Sequence, residues 1–183
     1  MTVRLLCLLG AECTGKTSLA QALAAALPAV WVPEYLRLFC VQHGRTPRAE
    51  EQSHIAAEQQ AAETAALAQA QAQGLTWVVC DTAPLLTAVY SEYVFGDDSL
   101  YPLARAAQQR YAMTLLLQPD FPWQPDGMQR EGAHARTAVH DLLEREMALH
   151  NGSWQPLAGR PAQRLARVLQ LLQSDEGRRR SGR

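Results

Sequence analysis

Continuous apolar runs alternate along this chain with stretches whose apolar positions recur at helical spacing. VRLLCLL (3–9) is apolar throughout and stops at a glycine, as a strand buried on both faces does. After it Leu19, Leu23, Ala26 and Leu27 fall on one stripe, which predicts a helix over 16–27 that Pro28 ends. AVWVPEY (29–35) predicts a second short strand, Glu34 to Gln42 a short helix, and HGRTP a loop. Thr46 is placed to cap the next helix and Pro47 to take its first position. That helix is Ala/Gln/Glu-rich, runs from about Arg48 to Gln73, and is stopped by Gly74. Its pattern suits a solvated scaffold with one apolar stripe.

LTWVVC (75–80) predicts a third strand ending at Asp81, with Thr82 as cap and Pro84 near the start of the helix that follows. FGDDS (95–99) is a turn, 100–110 a helix, and YAMTLLL (111–117) a fourth strand. QPDFPWQPDG (118–127), with three prolines and a glycine, is a loop. A helix over 133–150, a short strand at 154–157 and a last helix over 160–173 complete the pattern, and SDEGRRRSGR (174–183) reads as a frayed, disordered basic tail. Strands alternating with helices predict an α/β layered fold with a mostly parallel sheet, whose ligands gather at the carboxyl ends of the strands. Three polar clusters fall there: Gly10 to Thr17, Glu34 to Arg37, and Asp81 with Thr82.

Composition narrows the classes. The 183 residues make one domain, 1–173 apart from the tail, and 48% hydrophobic residues suffice for a core. A net charge of −1 lacks the basic field that displaces counterions from nucleic acid. The apolar run at the start is too short to span a membrane and has no basic region of useful length before it, so neither an anchor nor a secretory leader is expected, and the cytoplasm is the expected location. Cys7, Cys13, Cys40 and Cys80 form no C-x-x-C pair, and the five histidines show no metal-binding spacing.

GAECTGKT (10–17) contains the chain's one lysine; the other sixteen basic side chains are arginine. The segment fits G-x-x-x-x-G-K-[ST] and follows a strand and opens a helix, the context that a phosphate-binding P-loop requires. Gly10 and Gly15 let successive backbone N–H groups turn toward phosphate oxygens, and the helix aims its positive end at the same place. Lys16 is a compact charge on a flexible stem, which a planar guanidinium does not replace. The nucleotide-binding set is then Gly10, Glu12, Cys13, Thr14, Gly15, Lys16, Thr17 and Ser18, for ATP. Thr17 and Asp81 are the candidate Mg²⁺ holders, Asp81 in the manner of a Walker B carboxylate.

The N-K-x-D of a GTPase and the L-S-G-G-Q of an ABC protein are absent, and the chain is short for a hexameric motor. A small-molecule kinase fits better. It needs a carboxylate to accept the proton of an attacking hydroxyl, and Glu34 ends the second strand, with Arg37 a turn further on. It also needs a lid that excludes water. A segment over about 124–137 supplies Arg130 and Arg136, which would stabilise charge on the transferring group. Trp123, between Asp120 and Asp126 in a proline-stiffened loop, suits a flat cationic ring. Lys16, Glu34, Asp81, Arg130 and Arg136 form the candidate catalytic set. Glu34, Tyr35, Arg37, Trp123 and Asp126 form the acceptor-binding set. The base stays open among Glu34, Asp81 and Asp126.

GAECTGKT, VPEYLR, VVCDT with the threonine of PLLT, and QPDFPWQPDGMQR together resemble the ribosylnicotinamide kinase domain of NadR-type proteins, over nearly the whole chain to about Leu172. The resemblance implies a nucleoside/nucleotide-kinase-like three-layer α/β/α fold with a five-stranded parallel sheet. It also implies transfer of the γ phosphate of MgATP to the 5′-hydroxyl of nicotinamide riboside, with Trp123 stacking on the nicotinamide ring and Arg130 and Arg136 as lid arginines. Many relatives read D-T-D where this chain reads D-T-A, so a carboxylate is missing at Ala83. The expected partner is a small molecule, with no nucleic acid, no membrane, and a homo-oligomer possible. A kinase for another nucleoside or small alcohol, and a regulatory ATPase or nucleotide switch, are the competing readings.

Overall fold

The computed structural model describes residues 2–122 and 133–181. Five strands, β1 (Arg4–Leu9), β2 (Ala29–Val32), β3 (Trp77–Asp81), β4 (Tyr111–Leu117) and β5 (Trp154–Leu157), form one sheet in the order β2-β3-β1-β4-β5. Every pairing is parallel. The helices are α1 (Lys16–Ala26), α2 (Tyr35–His43), α3 (Gln52–Ala72), α4 (Pro84–Phe95), α5 (Tyr101–Gln108), α6 (Ala133–Leu149) and α7 (Pro161–Ser181).

Strand periodicity sorts the core into two halves. Leu5, Cys7 and Leu9 of β1, with Val78 and Cys80 of β3, face α3, α4, α5 and α6 through residues such as Ala66, Val89, Tyr101 and Leu143. Leu6 and Leu8, with Trp77, Val79 and Leu115, face α1 and α7 through Leu19, Leu23, Val168 and Leu172. Both faces of β1 are therefore covered, which is why its sequence is apolar without alternation. The expected three-layer α/β/α fold with a five-stranded parallel sheet is what forms.

Three boundaries differ from the sequence reading. Thr46 and Pro47 do not open the long helix. The helical path begins with a 3₁₀ turn at Ala49–Glu51, because the Glu51 carboxylate reaches back to the Arg48 backbone N–H (2.7 Å) and takes both arms of Arg45 at 2.6 and 2.7 Å. Thr82 does not cap α4; the cap position is Ala83, directly before Pro84, and Thr82 lies outside the helix with φ +90°. The tail from 174 is helical as far as Ser181. Arg4 fixes it there, donating to Asp175 (2.6 Å) and Glu176 (3.2 Å) while its guanidinium lies 3.9 Å from the Trp77 ring centre.

Candidate active site

The P-loop follows β1, the middle strand, so it stands at the carboxyl edge where the chain leaves the sheet to either side. Two glycines are required by geometry. A Cβ on Gly10 would sit 2.7 Å from the Thr14 hydroxyl and 3.1 Å from the Leu117 carbonyl. Gly15, the cap of α1, has φ +80°, a left-handed backbone that glycine adopts without penalty. Cys13 is also left-handed at φ +54°. Thr14 donates to the Ala11 carbonyl (2.9 Å), and the Lys16 ammonium donates to the carbonyls of Gly10 (2.9 Å) and Ala11 (3.1 Å). The lysine thus lies folded over the loop, buried to 9% exposure.

On one side of the loop is a cavity of about 480 Å³. Glu12, Cys13 and Lys16 of the P-loop line it, with Glu34 and Arg37 opposite. Glu34 is the residue before α2 and is 8% exposed. Burial raises its pKa above the ordinary carboxylate value, the Lys16 and Arg37 charges pull it down, and Asp81 pushes it up. Arg37 shares the Glu34 side of α2, as i, i+3 spacing dictates. Tyr35 does not line this cavity. Its ring lies edge-on to His54 at 6.0 Å, and its backbone N–H donates to Gln59 of α3 (2.9 Å).

The sequence reading missed a third wall of the cavity: Leu86, Tyr90, Val94 and Phe95 of α4. The signal was the four-residue spacing of 86, 90 and 94, a stripe on a helix apolar enough to serve both core and cavity. The Tyr90 hydroxyl donates to Glu12 at 3.4 Å, so α4 braces the P-loop from this side.

Asp81 ends β3 beside Leu8 of β1 and is 1% exposed, with its Oδ1 buried and without a hydrogen-bond partner; the neighbouring Thr82 hydroxyl is in the same state. Ala83 is fully buried as the α4 cap residue and is outside the cavity lining. An acidic side chain at that position would therefore be placed to cap α4.

On the other side of the loop a second cavity, about 410 Å³, is bounded by Gly15, Ser18, Phe121, Pro161, Ala162 and Arg164, among others. Arg136 borders this region, donating to the Phe121 carbonyl at 2.8 Å. Thr17 is half-buried in the first turn of α1. Trp123, Asp126 and Arg130, and most of the expected lid, lie outside the described residues. Among the described residues no cluster of three or more His, Cys, Asp or Glu side chains could hold a metal ion by itself, and no helix is long and apolar enough to cross a membrane.

A P-loop at the centre of a 2-3-1-4-5 parallel sheet, with a cavity on each side, defines a class. The chain belongs to the AAA domain family, whose model matches residues 5–164. Its fold is also that of a NadR protein solved in complex with NR (TM-score 0.73, 21% identity, 86% of this chain and 46% of that one). A NadR protein in complex with NAD and AMP-PNP gives a TM-score of 0.71 at 21% identity, over 87% of this chain and 45% of that one. The chain thus spans about half the length of these NadR chains. The thymidylate kinase of Ehrlichia chaffeensis is matched over its full length (100%) and 94% of this chain, with a TM-score of 0.65 at 14% identity. No curated protein matches the sequence.

Proposed function

We propose that this protein is an ATP-dependent nucleoside kinase, and that its acceptor is nicotinamide riboside, phosphorylated at the 5′-hydroxyl to nicotinamide mononucleotide. The observation that carries the proposal is the placement of Glu34: a buried carboxylate facing the P-loop lysine across a cavity of nucleoside size, with a separate cavity behind the loop. The second cavity takes the base of ATP, and the P-loop its phosphates. Lys16 is held by loop carbonyls that γ-phosphate oxygens replace as partners. The raised pKa of Glu34, set by burial against the pull of the Lys16 and Arg37 charges, makes it the better proton acceptor for a hydroxyl. The apolar wall from α4 excludes water from the acceptor side. The orphaned Asp81 oxygen suits a hydrated Mg²⁺, which Thr17 and Asp81 would hold; the ion would neutralise phosphate charge. Arg136, with Arg130, Trp123 and Asp126, which lie outside the described residues, completes the proposal as phosphate and ring contacts. The likeness to NadR chains bound to NR and AMP-PNP supports this choice of substrates.

The test is to incubate the protein with MgATP and a panel of nucleosides including nicotinamide riboside, and to follow product masses. Nicotinamide mononucleotide as the fastest product is expected, with Lys16→Ala and Glu34→Gln folded but at least about a hundredfold slower. A different mononucleotide would keep the kinase and change the acceptor. ADP without any phosphorylated acceptor would overturn the kinase reading in favour of a regulatory ATPase. Glu34→Gln with most of its kcat intact would remove Glu34 as the base.

A further inference from the structure

Arg164, on the first turn of α7, is 1% exposed, among the most deeply buried large side chains of the protein. It is not used to hold the core together in the ordinary sense, since each arm of its guanidinium goes to a loop at the site. One arm donates to the Thr14 carbonyl of the P-loop at 2.6 Å. The other donates to the Gln118 carbonyl at the end of β4 (2.9 Å) and to the Asp120 carboxylate. The second oxygen of Asp120 accepts the backbone N–H of Gly159 at 2.6 Å, so the segments after β4 and β5 are tied through one carboxylate. The guanidinium lies 4.5 Å from the centre of the Phe121 ring. That ring is 3.3 Å from where a Cβ on Gly15 would be.

We propose that Arg164 is a positioning residue for nucleotide binding, which sets the direction of the phosphate cradle by holding the Thr14–Gly15 peptide. The reason is geometric. There are no cis peptides among the described residues, and in a trans peptide the carbonyl and the next N–H point opposite ways. A guanidinium that fixes the Thr14 carbonyl toward α7 therefore fixes the Gly15 N–H away from α7, toward the interior of the loop. Phe121 occupies the space beside Gly15 and limits the flip of that peptide, for which a left-handed glycine otherwise has the freedom. A lysine offers one point of donation where the planar fork spans two carbonyls and a carboxylate. The bond is charge-assisted and buried, so its loss is felt in full.

This inference rests on the nucleotide-binding reading, and the experiment separates the two. Calorimetric titration of the full chain with MgATP and with magnesium tripolyphosphate, for the unsubstituted protein, Arg164→Lys and Arg164→Met, gives dissociation constants that refer to folded protein. The expected result is a weakening of about tenfold or more for both ligands in both variants. Equal loss for tripolyphosphate is essential, because it has no base and reports only the cradle. Weakening for MgATP alone would mean that Arg164 serves the base cavity. A lowered Tm with unchanged affinities would mean that it is only structural. Either result overturns the proposal. If Arg164→Met does not fold, Arg164→Lys, which keeps the charge beside Asp120, carries the test. Failure of the unsubstituted chain to bind either ligand would overturn the nucleotide reading itself.

Discussion

Thr82 has φ +90°, a left-handed backbone that a β-branched side chain resists at a cost of about 1–2 kcal/mol. Its hydroxyl is buried and unpartnered, next to the unpartnered Asp81 oxygen. Strain and an orphaned donor together at the carboxyl end of a central strand are a feature that stability does not explain. In urea denaturation, Thr82→Gly should exceed Thr82→Ala in stability by about 1 kcal/mol, the relief of backbone strain. Equal stabilities would show that the backbone here is relaxed. At this scale the sequence was legible where a residue's chemistry and its geometry coincide. Lys16 and Glu34 line one cavity at the P-loop and Gly15 the other. Thr82 was read as a cap because threonine caps helices; nothing local announces that a β-branched residue will take a positive φ.

The long helix α3 shows the same limit for an element. Its length and its stop at Gly74 follow from composition, but its buried stripe is not apolar: Gln52, Gln59 and Glu63 lie on it with Ile55, Ala56, Ala66 and Ala70. The Glu63 carboxylate accepts the Tyr111 hydroxyl (2.7 Å) and an arm of Arg110 (3.4 Å), and burial pushes its pKa up to about 7 from 4.5, against the pull of Tyr111 and Arg110. A carboxyl with a raised pKa in the folded protein holds its proton more tightly there than in the unfolded chain. Its contribution is therefore fully present below about pH 4.5, is lost as pH rises, and is gone above about pH 7. Glu63→Gln keeps an acceptor for Tyr111 and removes the titration. Relative to that variant, the wild-type protein should lose about 3 kcal/mol between those limits, measured by chemical denaturation at several pH values. A difference that does not change with pH would show that Glu63 ionises normally.

For the whole molecule, what was legible is what is local. Each strand is a short run, and the P-loop is eight consecutive residues, so the succession of elements, the layered class and the cradle could be read along the chain, whereas the order of strands in the sheet could not. The Arg164 clasp joins residues 150 positions apart, and the α4 wall depends on where a helix packs, so both needed the fold. The resulting arrangement has a kinetic consequence. The two cavities meet at the P-loop but share no lining residue: Gly15 and Ser18 border one, Glu12, Cys13 and Lys16 the other. Each side is braced separately, by Arg164 on Thr14 and by Tyr90 on Glu12. On the proposed reading neither ligand has to leave for the other to enter, and Glu34, which lines one cavity with Glu12 and Lys16, would take a proton rather than a phosphoryl group. The proposed kinase would then transfer directly, within a complex of both substrates. Initial rates measured over a grid of MgATP and acceptor concentrations should give intersecting reciprocal plots, and Glu34→Gln should lower kcat while leaving the MgATP dissociation constant within about twofold. Parallel plots, with phosphate retained on the protein after gel filtration, would mean a covalent intermediate and would put a nucleophile where this reading places a base.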